Sequence, residues 1–246
     1  MFKPIRGFTS LQRTPQSDLK LGSVLAFVAG ATNAGGFLAV GQYTSHMTGI
    51  VSSVADSLVL GQGWLALSGL VALLAFVVGA MCTVWLVNWG MRRELRSAYG
   101  LPLVVEAALL LIFGLFGAAI GLLHTVFLPL TVVLLCFIMG LQNAVITKIS
   151  KARIRTTHVT GLVTDLGIEL GKLLYVNRRP DIAPVLADRQ RLRVHSQLIV
   201  CFLVGGVMGA LGFKYLGYLS TVPLALLLLL LVLRPLLDDW KRLRGA

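Results

Sequence analysis

The chain reads as an all-α integral membrane protein: six transmembrane helices in two inverted three-helix repeats, each with a short extra half-helix, and both ends cytoplasmic. Composition, the spacing of apolar runs and the placement of basic residues predict this. Of 246 residues, 57% are hydrophobic and 13% charged, with a mean hydropathy of +0.85. A soluble domain carries about 25% charged residues. One soluble core cannot hide so much apolar surface, whereas a bilayer solvates the outer face.

Crossing the hydrocarbon takes about 20 mostly apolar residues. The first such run, 21–40, follows a basic leader over 1–20 that holds Lys3, Arg6, Arg13 and Lys20. No small-residue cleavage site breaks the run before a loop, so it reads as a helix retained in the membrane. Phe2, Ile5, Phe8 and Leu11 suit a leader lying on the inner membrane surface. The further runs are 64–89, 101–123, 127–147, 195–217 and 220–236, with a tail over 237–246. Repeat 1 then covers 21–123 and repeat 2 covers 124–236. Two apolar stretches, 48–60 and 160–174, are too short to span; they are read as short helices, re-entrant or interfacial.

Orientation follows from the basic residues, which collect on the cytoplasmic side. With the N-terminus inside, the leader, the 90–100 turn, the 148–194 segment and the tail side hold 21 of 22 Lys and Arg residues; Lys214 alone faces out. The net charge of +12 is therefore assigned to anionic lipid rather than nucleic acid. Trp64 at one rim, and Trp85, Trp89 and Trp240 at the other, suit interfacial belts. Cys82, Cys136 and Cys201 all fall in apolar runs and read as packing residues, not a disulfide framework.

One motif occurs twice. Gly30-Ala-Thr-Asn33-Ala34 is followed by Ser45-His46-Met47-Thr48-Gly49; Gly140-Leu-Gln-Asn143-Ala144 is followed by Thr157-His158-Val159-Thr160-Gly161. The copies are offset by 110 residues at the asparagine and 112 at the threonine. A short helix and two spans follow each copy, with Pro102 and Pro223 near the starts of the last spans. Three spans per half turn the second half upside down, the device that places a midplane site in many transporters.

The stretches GATNAGGFLAVGQYTSHMTG and MGLQNAVITKISKARIRTTHVTGLVTDLGIELG resemble the YoaK-like family of bacterial multi-pass membrane proteins. The resemblance runs from about Leu21 to the last span and implies an architecture and a bacterial inner-membrane location, not a particular activity. The family pattern often has Asp where this chain has Asn33, and Asn where it has Ile50. An uncharged Asn33 argues against a coupling-cation role at that position.

Several residues are candidates for chemistry. Thr48 and Thr160 stand where a hydroxyl caps a helix start, and Gly49 and Gly161 admit a close backbone or ligand. Helix starts that point inward present positive dipole ends to an anion. Either these residues, with Asn33 and Asn143, line one central site, or they are caps and interhelical glue worth about 1 kcal/mol each. His46 and His158 occupy matched positions, read as rim hydrogen bonders or proton-linked groups. No Cys or carboxylate recurs beside both, so neither a metal nor a cofactor is expected. Gly30, Gly49, Gly140 and Gly161 are expected to permit helix breaks.

Asp165 and Glu169 share one helix face and read as solvated. Glu106, about 8 Å into its span at 1.5 Å per residue, faces a cavity, finds a partner, is protonated or snorkels to the rim; it is the proton-coupling candidate. Gly117-x-x-x-Gly121 and Gly205-x-x-x-Gly209 allow close helix approach, within the chain or in a homodimer. Walker loops, His-Glu-x-x-His and Ser-His-Asp patterns are absent, so an enzyme is not expected. The function this favours is secondary transport of a small polar or anionic solute by alternating access. A passive selective channel and a non-transporting scaffold or lipid-binding protein are the alternatives.

Overall fold

A computed structural model describes residues 14–120, 124–179 and 181–244. Phe2, Ile5, Phe8, Leu11 and Gly121 lie outside the described residues. The secondary structure of the described residues is all helical: α1 (Pro15–Val40), α2 (Met47–Val59), α3 (Gly63–Arg92), α4 (Leu101–Ile120), α5 (His124–Ile149), α6 (Val159–Leu174), α7 (Arg189–Leu216), a 3-10 turn (Gly217–Ser220) and α8 (Thr221–Arg244).

Helix starts are set by caps as much as by hydrophobicity. α1 begins six residues before its apolar run. Thr14 Oγ1 accepts the Ser17 amide at 3.2 Å while Ser17 Oγ accepts the Thr14 amide at 3.0 Å, a reciprocal box that satisfies two free donors. α7 likewise starts ahead of its apolar run, because Asp188 accepts from the Gln190 and Arg191 amides at 2.9 and 3.1 Å.

Four helical stretches among the described residues are long and apolar enough to cross a membrane: Gln16–Val40, Gly63–Arg92, Pro129–Ile149 and Arg189–Arg242. The expected six separate spans are counted differently for two reasons. The 3-10 turn divides the last 54-residue stretch into α7 and α8, and the described apolar part of α4, Leu101–Leu115, is short. The two short helices appear as expected, within a residue of their sequence bounds.

α1 and α5 are the inner helices. Of the most apolar stretch of α1, 67% is buried, against 28% for α3, whose Trp64, Leu67, Leu74 and Trp85 face outward. Outward apolar side chains are what a lipid-facing helix presents. α1 packs chiefly on α7, and α5 on α3. Small residues bring these backbones together. A Cβ at Gly30 would fall on the Phe202 carbonyl oxygen of α7, and one at Gly205 on that of Phe27 in α1. In the other pair, Gly140 meets the Phe76 carbonyl and Gly79 meets that of Phe137. The two crossings thus use Phe and Gly at positions offset by 110 residues along α1 and α5 and by 126 along α3 and α7. Gly205 and Gly209 both face α1, which places this small-residue face inside the chain.

Contrary to the expectation of helix breaks, Gly30 and Gly140 do not break their helices. Both sit inside continuous helices, because the missing side chain is used for interhelical approach and not for a bend. Polar contacts add to each crossing: Gln197 Nε2 donates to Ser23 Oγ, and Thr83 Oγ1 to the Leu141 carbonyl, both at 2.8 Å. α4 lies against α8, and Phe113, Phe213 and Tyr218 join α4, α7 and the 3-10 turn with centroids 5.4–6.0 Å apart.

Candidate functional site

The paired asparagines each fasten the loop that follows their own helix. α1 ends at Gly41, whose φ of 71° lies in the left-handed region that suits glycine. The loop then turns back along the helix. Tyr43 stacks on Phe37 at 4.4 Å, and the Ser45 amide and hydroxyl donate to Asn33 Oδ1 at 3.1 and 2.9 Å. Asn33 stands seven residues before the end of α1, so α2 sets out beside the body of α1 and not from its tip. The second copy repeats this: Thr157 Oγ1 donates to Asn143 Oδ1 at 2.5 Å, while Asn143 Nδ2 donates to the Met139 carbonyl at 2.7 Å. Lys151 and Ala152, at φ of 52° and 62°, turn this loop. Ahead of each latch stands a fully buried threonine, Thr44 or Thr156, whose hydroxyl has no partner among the described residues.

The other motif residues occupy the exposed starts of the short helices. His46 and His158 are the cap residues of α2 and α6, and neither makes a side-chain cap bond. Thr48 and Thr160 lie second in those helices, two positions past the N-caps His46 and His158. Gly49 and Gly161 are also helical and do not form the breaks, which precede them in the two loops. What they admit is a histidine ring: a Cβ at either glycine would strike its own copy's His46 or His158. The structure thus joins Asn33 to Ser45 and Asn143 to Thr157, and leaves Thr48, Thr160, His46 and His158 at exposed positions. Neither His46 nor His158 supplies a side-chain acceptor to the first amides of its own short helix.

Glu106 is 1% exposed, which excludes snorkelling to the rim. Its partner is Gln142 of α5, equally buried, whose Nε2 donates to Glu106 Oε1 at 2.8 Å. Among the described residues Glu106 Oε2 and Gln142 Oε1 have no hydrogen-bond partner. The sequence carried one signal for Gln142: it is the polar neighbour of Asn143 within an apolar span. Among the described residues no three His, Cys, Asp or Glu side chains are grouped so as to hold a metal ion.

Asp165 is exposed as expected, but Glu169 is not part of a solvated face. It is 3% exposed and ties α6 to the start of α7, accepting from Lys172 Nζ at 2.8 Å and from the Asp188 amide at 2.7 Å. The Lys172 bond and then the Asp188 amide hold the Glu169 carboxyl below its usual range, while the Arg191 amide does most to lower Asp188. A carboxylate lowered by folding contributes stability above its unfolded pKa and loses it as pH falls through the folded value. The α6–α7 junction is therefore expected to hold at neutral pH and to loosen below the ordinary carboxylate range. Hydrogen exchange over residues 165–192 checks this. Glu169→Gln should leave the junction loose at neutral pH and remove most of the pH dependence.

Comparison with known proteins adds a family. The model of the family described as "Protein of unknown function (DUF1275)" matches residues 21–234. The UPF0700 transmembrane protein YoaK of Bacillus subtilis (strain 168) is 24% identical over 212 residues, covering 83% of this chain and 88% of that protein. An undecaprenyl-diphosphatase of Psychrobacter sp. (strain PRwf-1) is 40% identical over 65 residues, which is 26% of this chain and only 23% of that protein's length. No solved structure matches the chain. With the family model covering nearly all the helical region, the chain belongs to the DUF1275 family of multi-pass membrane proteins.

Proposed function

We propose that this protein is a secondary transporter, not an enzyme, of the bacterial inner membrane. It moves a small polar or anionic solute by alternating access of two inverted repeats, α1–α4 and α5–α8. The observation that carries this reading is the duplicated geometry. The Phe-Gly crossings of α1 with α7 and of α5 with α3 use matched positions. The Asn33–Ser45 and Asn143–Thr157 latches do the same in front of two uncapped short helices. An odd number of spans per repeat would give the halves opposite orientations, and the clustering of basic residues supports cytoplasmic termini.

In this reading the starts of α2 and α6 recognise the solute. Their free amides and dipoles attract its negative end, with Thr48, Thr160, His46 and His158 beside them. Asn33 and Asn143 set the positions of those starts. Rocking of one repeat against the other moves the site between faces, and Glu106 is the group for proton coupling.

The test is thermal stability of the purified protein against small anions, amino acids, sugars and cations. A ligand that binds only the folded state raises the melting temperature by mass action. Stabilisation by one ligand class, lost in Asn33→Leu/Asn143→Leu, is the expected result, followed by saturable, counter-transported flux in proteoliposomes. Non-saturating flux would make the protein a channel. No response to any class, with the variant behaving like the parent, would remove the solute site.

A further inference from the structure

Glu106 and Gln142 pose a problem of donors and acceptors. Among the described residues their one bond, Gln142 Nε2 to Glu106 Oε1 at 2.8 Å, leaves Glu106 Oε2 and Gln142 Oε1 buried and unpartnered. Both are acceptors when the carboxyl is ionised, so neither can satisfy the other. An unmade hydrogen bond in an apolar helix interface is unfavourable, and an ionised carboxylate there far more so.

No cation resolves the problem, since Glu106 makes no ion pair among the described residues. Among the described side chains of the elements packed against α4, charge stands away from Glu106. His124 and Lys148 open and close α5, and Lys148 is 3.3 Å from Asn88. Arg92 ends α3, and α8 carries charge only from Arg234 onward. A Cβ at Gly100 would meet Val232, and one at Gly114 would meet Thr221, so α8 runs antiparallel to α4 with its apolar stretch beside Glu106. Cys82 on α3, Cys136 on α5 and Tyr218 on the 3-10 turn are the remaining titratable groups of these elements and are uncharged when protonated.

One proton satisfies both oxygens. Placed on Glu106 Oε2, it donates to Gln142 Oε1 and closes a two-bond ring with the existing contact, the pairing of a carboxylic acid with a primary amide. We propose that Glu106 and Gln142 together hold one exchangeable proton as a cyclic acid–amide pair across the α4–α5 contact. On release the O–H bond breaks, its electron pair stays on the carboxylate, and water takes the proton. The pair then drops to one bond beside a buried charge, so release favours separation of α4 from α5.

The site is single although the motif is double. The position matching Gln142 is Thr32, offset by 110 residues, and alignment of Pro102 with Pro223 sets Leu227 against Glu106. One proton per chain follows. Its use to drive a solute rests on the transporter reading, because α4 belongs to one repeat and α5 to the other; the pair itself does not.

Infrared difference spectroscopy on the full chain in liposomes tests the pair. At neutral pH the wild type should show a protonated-carboxyl stretch that shifts in heavy water and is lost in Glu106→Gln. That variant keeps the fold, since a second amide repeats both bonds. Gln142→Leu should move the stretch to higher frequency by removing its acceptor. If Gln142→Leu does not fold, carbon-13 labelling of glutamine in the wild type replaces it, with an amide band expected to move as the carboxyl band titrates. A spectrum unchanged by Glu106→Gln, a stretch indifferent to Gln142→Leu, or a carboxyl that is ionised and stabilised by sodium overturns the proposal. The assigned stretch with no solute response in the stability screen supports the proton pair and removes the transporter reading. A solute response without the stretch does the reverse.

Discussion

Gly140→Val is expected to cost about 3 kcal/mol of stability, at the upper end for an overpacked interior. The added Cβ would land on the Phe76 carbonyl of α3, which is backbone and cannot rotate aside. α3 and α5 must then separate. That stretches the Thr83–Leu141 bond next to the crossing, and the surrounding interface loses dispersion contacts together. Denaturation in detergent micelles measures the loss, and Gly30→Val at the matched crossing should lose a similar amount through Phe202. Gly167→Ala in α6 is the control. Nothing stands within 4 Å of a Cβ there, so alanine should be neutral or gain up to about 1 kcal/mol from helix propensity. Equal effects at Gly140 and Gly167 would sink the crossing argument.

Asp239→Ala is the second large effect expected, at about 3 kcal/mol. The carboxylate near the end of α8 closes the turn between α3 and α4: Oδ1 accepts the Arg96 amide at 2.9 Å, and Oδ2 accepts the Ser97 amide and hydroxyl at 2.8 and 2.7 Å. Ser97 is 1% exposed and Asp239 6% exposed, so alanine leaves buried donors that water cannot readily reach. Ser97→Ala removes one of the three bonds and should cost about 1 kcal/mol. Asp238 is a useful contrast. Its ion pair with Arg96 spans 3.5 Å between side chains more than half exposed, and Asp238→Ala should change stability by less than about 1 kcal/mol. The same unfolding measurement compares the three variants, and equal losses at Asp238 and Asp239 would refute the assignment.

Apolar runs made the long helices legible, and the duplicated motif made the two latch regions legible. What the sequence concealed falls into three kinds. Helix starts moved outward at Thr14 and Asp188, because a cap is a local hydrogen-bond arrangement that a hydrophobicity window does not register. Partners far apart in sequence were invisible: Gln142 for Glu106, the Asp188 amide for Glu169, and the Arg96–Ser97 turn for Asp239. Glu169 in particular sits four residues from the exposed Asp165, and periodicity gave both the same environment. The glycines were seen but misassigned. Gly30 and Gly140 carry the small-residue signature of either a break or a crossing, and only the helix on the other side distinguishes them.

The pairing of α1 with α7 has a consequence for how the protein is made. Gly30 and Phe202, which set that crossing, are 172 positions apart in the chain. Synthesis proceeds from the N-terminus at about 5–20 residues per second, so α1 enters the bilayer roughly ten seconds or more before its main partner exists. Throughout that interval its Gly30 face has lipid or a transient neighbour where α7 will later stand. The apolar character of α1 allows it to wait in the bilayer, but its final docking must be a late event, coupled to insertion of the C-terminal third. A ribosome stalled before residue 202 would therefore leave α1 inserted and extractable, with the α3–α5 crossing already available to form.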